Sequence, residues 1–123
     1  MDNFENRYMR YWFEGDVLCG EFTSEVEIDL KIAKAVVEGR LKYSNYKNVK
    51  GCIDCCNVKK MSRDARVFFS EPSSCKSLKV AALVINSAVQ KMIGNFIIKI
   101  HKPPVPTKLF TCKEEAMQWL GEF

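Results

Sequence analysis

Hydrophobic positions follow two different periods along the chain, and this predicts strands that alternate with helices. Residues 8–13 and 17–22 are short runs of aromatic and aliphatic residues on either side of a turn that contains Gly15, which is typical of a β-hairpin. Residues 49–56 and 78–85 are almost continuously apolar, as expected for strands covered on both faces. A last short strand is predicted at residues 108–110.

A period of three to four residues predicts about four helices between and after these strands. In the third helix, apolar residues recur at Val89, Met92, Phe96 and Ile100 and also at Ile93 and Ile97, and the two prolines after Lys102 must end it. The helix is interrupted by Gly94, for which a tight helix–sheet contact is favoured over room for a ligand or partner. The predicted N-caps are Asp29, Ser62, Asn86 or Ser87, and Thr111, the last in a capping box with Glu114.

The element order is therefore β-β-α-β-α-β-α-β-α. This order predicts an α/β fold with a mixed sheet, mostly parallel, whose antiparallel edge is the N-terminal hairpin. No linker or repeat divides the 123 residues, so a single domain over residues 1–123 is expected.

Composition excludes several classes of function. The chain is 47% hydrophobic and 28% charged, with a net charge of +4, which is too weak to indicate nucleic-acid binding. Its longest apolar run, residues 80–85, is far shorter than the roughly 20 residues of a membrane span. The amino end lacks the pattern of a signal peptide, so a soluble cytoplasmic protein is expected.

The segment CIDCC contains a C-x-x-C spacing that raises the question of a metal or thiol site. Side chains alternate between the faces of a strand, so Cys52 and Cys55 are expected on opposite sides of the sheet. A zinc site also needs about four ligands, and a thioredoxin-type pair would begin a helix. The cysteines are therefore interpreted as reduced, structural residues, with no metal and no cofactor.

Other catalytic motifs do not occur in the sequence. It contains no G-x-S-x-G, no glycine-rich phosphate loop and no H-E-x-x-H, and His101 is its only histidine. The sequence therefore predicts a protein that is not an enzyme.

Three segments resemble the STAS domains, the SpoIIAA-like family of anti-sigma-factor antagonists. IDCCNVKKM resembles the family signature before the regulatory helix, VINSAVQKMI resembles its fourth strand and following helix, and LFTCKEEAMQWL resembles its last strand and helix. The resemblance runs from about residue 8 to the end. It implies a SpoIIAA-like (STAS) fold in a divergent, bacterial subgroup.

The sequence departs from this family at the residue that a partner kinase phosphorylates. Aligned residue by residue, the aspartate of the family pattern is Ser62, the phospho-acceptor is Arg63, the next hydroxyl residue is Asp64 and the glycine is Ala65. The acceptor is missing. Phosphorylation of Ser62 itself would need a register shift of one residue, and a serine in this position is first a helix cap.

Two hypotheses about function follow. The first is a non-enzymatic interaction or regulatory module that docks a protein partner, such as an anti-sigma or signalling protein, through the loop and helix start at residues 57–66. The residues predicted to bind the partner are Asp54, Asn57, Ser62, Arg63, Asp64 and Arg66.

The second hypothesis is that the protein binds a small apolar or lipid-like ligand under the helix at residues 87–102. Met92, Phe96 and Ile100 are predicted to line the pocket, with the alternative that they only form the core. The resemblance also supports this hypothesis, because related SpoIIAA-like domains are grouped with lipid-binding folds. The sequence does not decide whether the protein forms a homodimer through the hairpin edge or through the hydrophobic helix.

Overall fold

The computed structural model describes the backbone of residues 3–5 and 7–123 and the side chains of residues 7–123. Residues 1, 2 and 6 lie outside the described residues. They belong to the predicted domain over residues 1–123 and to the amino end that lacks the pattern of a signal peptide. The strands are β1 (Asn3–Glu5), β2 (Met9–Glu14), β3 (Val17–Phe22), β4 (Val26–Ile28), β5 (Val49–Asp54), β6 (Val58–Met61), β7 (Leu78–Val84) and β8 (Thr107–Phe110). The helices are α1 (Leu30–Tyr43), α2 (Arg63–Ser70), α3 (Ala88–Phe96), which continues into a π-helical turn at Ile97–His101, and α4 (Lys113–Leu120).

Six strands form one mixed sheet in the order β1-β2-β3-β5-β7-β8. β1, β2 and β3 pair antiparallel, whereas β3, β5, β7 and β8 pair parallel. The predicted mixed sheet with an antiparallel N-terminal edge is confirmed. Three short strands were not predicted: β1, which lies outside the hairpin, and β4 and β6, which form a separate parallel pair.

The helices cover the two faces of the sheet unequally. The parallel strands advance in one direction across the sheet, and right-handed crossovers then place every connecting helix on the same face. Ala33 of α1 and Ala65 of α2 accordingly belong to one core cluster, with Leu18 of β3. Ala116 and Leu120 of α4 belong to the other cluster, with Val80 of β7. α1, α2 and α3 thus share one face, and α4 covers the opposite one.

Polar side chains define where the connecting helices begin. The Asp29 carboxylate accepts a hydrogen bond from the Ile32 amide at 2.9 Å. The Ser62 hydroxyl accepts from the Ala65 amide, and the Ser87 hydroxyl from the Gln90 amide, both at 3.1 Å. The predicted caps Asp29, Ser62 and Ser87 are therefore confirmed.

The predicted capping box at the start of α4 is wrong. Its N-cap is Cys112, one residue after Thr111, and within the described residues the Cys112 side chain makes no capping hydrogen bond. The Cys112 thiol instead donates to the Glu114 carboxylate at 2.9 Å. The helix begins one residue later than the motif indicates.

Removing the Ser62 cap gives a first testable result. We expect Ser62→Ala to lower the free energy of unfolding by about 1 kcal/mol, because the Ala65 amide loses its acceptor. Urea denaturation followed by circular dichroism measures this loss. Thr111→Ala is the matched control, since Thr111 is not a cap, and it should change stability by less than about 0.5 kcal/mol. Equal losses in the two variants would contradict the assignment of the cap.

The length and hydrophobicity of the helices decide whether any of them could span a membrane. Within residues 3–5 and 7–123, the structure contains no helix that is both long enough and apolar enough to cross a bilayer.

Candidate functional site

An apolar cavity lies between the sheet and the helices α1, α2 and α3. Its volume is about 160 Å³. A comparable engineered cavity lined by aliphatic and aromatic side chains stays dry and binds benzene. The sheet contributes Ile53, Ala81 and Leu83 to the wall, and α3 contributes Ile93 and Ile97. The space is therefore suited to a small apolar group.

Gly94 brings α3 close to the sheet beside this cavity. A β-carbon built on Gly94 would lie 2.6 Å from Cδ2 of Leu109 in β8, whereas nonbonded β-carbons essentially never approach another atom closer than 3.0 Å. The tight helix–sheet contact predicted for Gly94 is confirmed. Both residues also line the cavity, so this contact closes one side of it.

The three side chains predicted to line a pocket lie on the other side of α3. Met92, Phe96 and Ile100 are exposed to 63%, 42% and 62%. The cavity is lined instead by Ile93 and Ile97, which are buried. The structure thus corrects the pocket prediction, because apolar residues recur with helical period on both faces of α3 and the pattern alone does not tell which face meets the sheet.

Gln90 is a buried polar residue of the cavity wall whose hydrogen bonds are made within the protein. Its side-chain nitrogen donates to the carbonyls of Cys56 at 2.8 Å and Val58 at 3.2 Å. Its side-chain oxygen accepts from the Asn86 amide at 2.6 Å. Gln90 therefore ties the start of α3 to the loop after β5 and leaves both of its amide protons satisfied.

Arg40 is a buried cation in the same wall, and part of its guanidinium has no partner. The residue is 6% exposed. Its Nη2 donates to the carbonyls of Ser74 at 2.9 Å and Lys76 at 3.0 Å, which ties the end of α1 to the loop before β7. Its Nη1 is buried without a hydrogen-bond partner among the described residues. A buried donor without an acceptor costs about 1–3 kcal/mol, and more when the group is charged.

The groups beside Arg40 do not compensate its charge. Burial lowers the pKa of Arg40, whereas the neighbouring Tyr11 and Cys75 act to raise it. Burial raises the pKa of Tyr11 and also that of Cys75, so both remain protonated and neutral near pH 7. Within residues 7–123, no carboxylate forms an ion pair with Arg40. This end of the cavity therefore carries a positive charge.

Two of the residues predicted to bind a partner have roles in the turn after β5. The Asp54 carboxylate accepts from the Cys56 amide at 2.8 Å. The Asn57 side-chain nitrogen donates to the carbonyl of Phe22 at 2.8 Å, which links this turn to the end of β3. Both side chains thus fix the local backbone.

The other four lie at the start of α2. Ser62 is the helix cap, and Arg66 donates from Nη1 to the Met61 carbonyl at 2.8 Å. The Arg66 guanidinium also lies over the ring of Phe96, 5.0 Å from its centroid. Arg63 and Asp64 are exposed in the first turn. Arg66 thereby joins the start of α2 to the outer face of α3.

The C-x-x-C pair is divided by the sheet, as predicted. Cys52 belongs to the core cluster under α4, and Cys55 packs against the cluster under α1 and α2. Burial raises the pKa of Cys55 to about 12. Burial, together with a hydrogen bond that the thiol donates to the Asp54 carboxylate, raises the pKa of Cys56 to about 11. Neither is a thiolate near pH 7. The described part of the chain contains no cluster of three or more His, Cys, Asp or Glu side chains that could hold a metal ion.

Comparison with known proteins assigns the family. The profile described as Domain of unknown function (DUF7793) matches residues 11–123. The chain belongs to the DUF7793 family. A search of curated proteins found no match for this DUF7793 member.

The fold of this DUF7793 protein is similar to a solved one. The crystal structure of an uncharacterized DUF3478-family protein with a SpoIIAA-like fold, from Shewanella loihica PV-4, matches it with a TM-score of 0.64 over 95% of this chain and 98% of that chain. The two sequences are 14% identical. The likeness shows the fold, so the SpoIIAA-like architecture that the sequence motifs imply is confirmed.

Sequence reasoning missed Arg40, although its position carries a signal. Arg40 follows Val37 by three residues and Ala33 by seven, so it falls on the apolar stripe of α1 that packs on the sheet. A charged residue on such a stripe must be buried or must extend to solvent along its apolar stem. The helical period therefore places Arg40 on the face of α1 that meets the sheet, and its burial is decided by the tertiary contacts.

Proposed function

We propose that this protein is a non-enzymatic interaction module that docks a partner protein on the outer face of α3 and the start of α2. The observation that carries the proposal is a stripe of exposed apolar side chains on one helix. We call it the α3 stripe, and it consists of Val89, Met92, Phe96 and Ile100, exposed to 47%, 63%, 42% and 62%. Contiguous exposed apolar surface with a polar rim is typical of protein-interaction sites.

The surroundings of the α3 stripe suggest the chemistry of the partner. Lys91 and Lys99 are exposed on the same helical segment, and Lys102 follows it directly. Arg63 and Asp64 extend the surface onto α2, joined to it through the Arg66–Phe96 contact. A partner with apolar side chains and an acidic rim would complement this surface. The resemblance to STAS domains supports a signalling protein, such as an anti-sigma factor.

Binding by variants of this surface tests the proposal. The tagged protein is used to isolate partners from its native cells, and each captured protein is then purified and titrated by calorimetry. We expect Met92→Asp to raise the Kd at least tenfold and Arg63→Glu to raise it less, because a central apolar contact outweighs a rim charge. Lys34→Asp on α1 is the matched control, since Lys34 is exposed and outside the surface.

Two outcomes would contradict the proposal. One is a partner that binds Met92→Asp and the wild type equally. The other is a stable dimer in analytical ultracentrifugation that Met92→Asp dissociates, because a second copy of the chain would then be what covers the stripe.

We also propose, as a second function, that the cavity binds a small apolar ligand. The cavity beneath α3, with its volume of about 160 Å³ and its aliphatic walls, favours this function. Native mass spectrometry of freshly purified protein tests it. A bound small molecule that is released on denaturation is the expected result, and protein that is free of ligand even when apolar compounds are added would contradict the proposal.

A further inference from the structure

We propose that the cavity takes a small carboxylic acid, with its carboxylate on Arg40 and its apolar body between α3 and the sheet. The inference rests on the second proposed function, ligand binding in this cavity, and adds the chemical class of the ligand. Two observations support the inference: the guanidinium of Arg40 and the size and apolar walls of the cavity beside this guanidinium.

The guanidinium of Arg40 lacks an acceptor at its buried Nη1. Nη2 uses its protons on the carbonyls of Ser74 and Lys76, whereas Nη1 is buried and has no acceptor within the described residues. The charge of this residue, which is 6% exposed, is not matched by any described carboxylate. A carboxylate is the natural complement of a guanidinium, because it accepts charge-assisted hydrogen bonds and neutralises the charge.

The remaining polar groups of the wall do not call for a ligand. Gln90 makes its hydrogen bonds to Cys56, Val58 and Asn86, and the Tyr11 hydroxyl donates to the Val36 carbonyl at 2.6 Å. One free guanidinium edge in an otherwise apolar wall fits a single carboxylate. A phosphate or a sugar would bring more polar atoms than these walls could satisfy.

The volume limits the body of the ligand. At about 160 Å³, the cavity is similar in size to one that holds benzene, so the ligand carries about six apolar carbons. Benzoate and hexanoate have this size and one negative charge, and they serve as probes. Benzamide has the shape of benzoate without its charge, and toluene has neither charge nor acceptor.

Titration of isotope-labelled protein by NMR provides the test. We expect benzoate to bind at least tenfold more tightly than benzamide, and the shifted resonances to include Ile93, Leu109 and Cys75 of the cavity wall. Equal affinities for benzoate and benzamide would overturn the inference while leaving ligand binding in the cavity intact. Absence of binding by benzoate, benzamide and toluene alike would overturn both the inference and the second proposed function.

A variant of Arg40 localises the effect. Arg40→Met should reduce the affinity for benzoate at least tenfold and leave that for toluene unchanged, whereas Arg63→Met, an exposed arginine outside the cavity, should change neither. Should Arg40→Met fail to fold, the comparison of benzoate with benzamide on wild type still decides the inference.

The size of the ligand is tested with a series of carboxylic acids from butanoate to dodecanoate, in which affinity should be greatest near hexanoate. Affinity that keeps rising to dodecanoate would overturn the size that we infer.

Discussion

Replacing Leu120 by alanine is expected to lower the free energy of unfolding by about 2–5 kcal/mol. Leu120 is fully buried and packs with Val80 and Ala82 of β7 on the face of the sheet that α4 covers. Because α4 is the helix on this face and has eight residues, few neighbours can move to fill the space that the leucine leaves. Urea denaturation monitored by tryptophan fluorescence measures the change.

Gln118→Ala is the matched control on the same helix. Gln118 is exposed, so its replacement should change the free energy of unfolding by less than about 0.5 kcal/mol. A loss below about 1 kcal/mol for Leu120→Ala would show that α4 does not pack on the sheet as described.

Replacing each of two successive alanines of β7 by leucine is expected to have different effects on the free energy of unfolding. Ala82 is fully buried in the packed cluster under α4, so Ala82→Leu should lower the free energy of unfolding by about 1–3 kcal/mol through overpacking. Ala81 faces the cavity on the other side of the sheet. Its larger replacement can extend into empty space, and Ala81→Leu should leave stability unchanged or raise it.

The same pair of variants tests ligand binding. Ala81→Leu should abolish the binding of toluene and benzoate, because the new side chain occupies the cavity. The measurements are urea denaturation for both variants and NMR titration for Ala81→Leu. An equal loss of stability in the two variants would contradict the presence of usable space beside Ala81.

Much of the architecture could be predicted because local signals agree with the tertiary contacts. The hairpin strand Val17–Phe22 has the predicted bounds, and the caps at Asp29, Ser62 and Ser87 lie where side-chain chemistry places them. The strands Val26–Ile28 and Val58–Met61 were missed. These strands have only three and four residues. They pair with each other across a long stretch of sequence and with a shift in register, so no local pattern indicates them.

The candidate site could be predicted only in outline. The sequence locates an unusually apolar helix at residues 87–102, but both Met92 and Ile93 are apolar, and only the structure shows that Met92 is exposed while Ile93 lines the cavity. Gly94 distinguishes the faces, because a residue without a side chain marks where the helix touches Leu109. The burial of Arg40 does not follow from the helical period of α1, because an arginine on an apolar stripe can also extend to solvent along its stem.

The two edge strands of the six-stranded sheet, β1 and β8, are short. β1 has three residues and β8 has four, and Pro106 directly before β8 has no amide proton to offer. Strands this short are poor templates for the addition of a foreign strand, and native proteins guard against fibril-like growth in this way. Addition of a foreign strand at these two edges of the six-stranded sheet is therefore disfavoured.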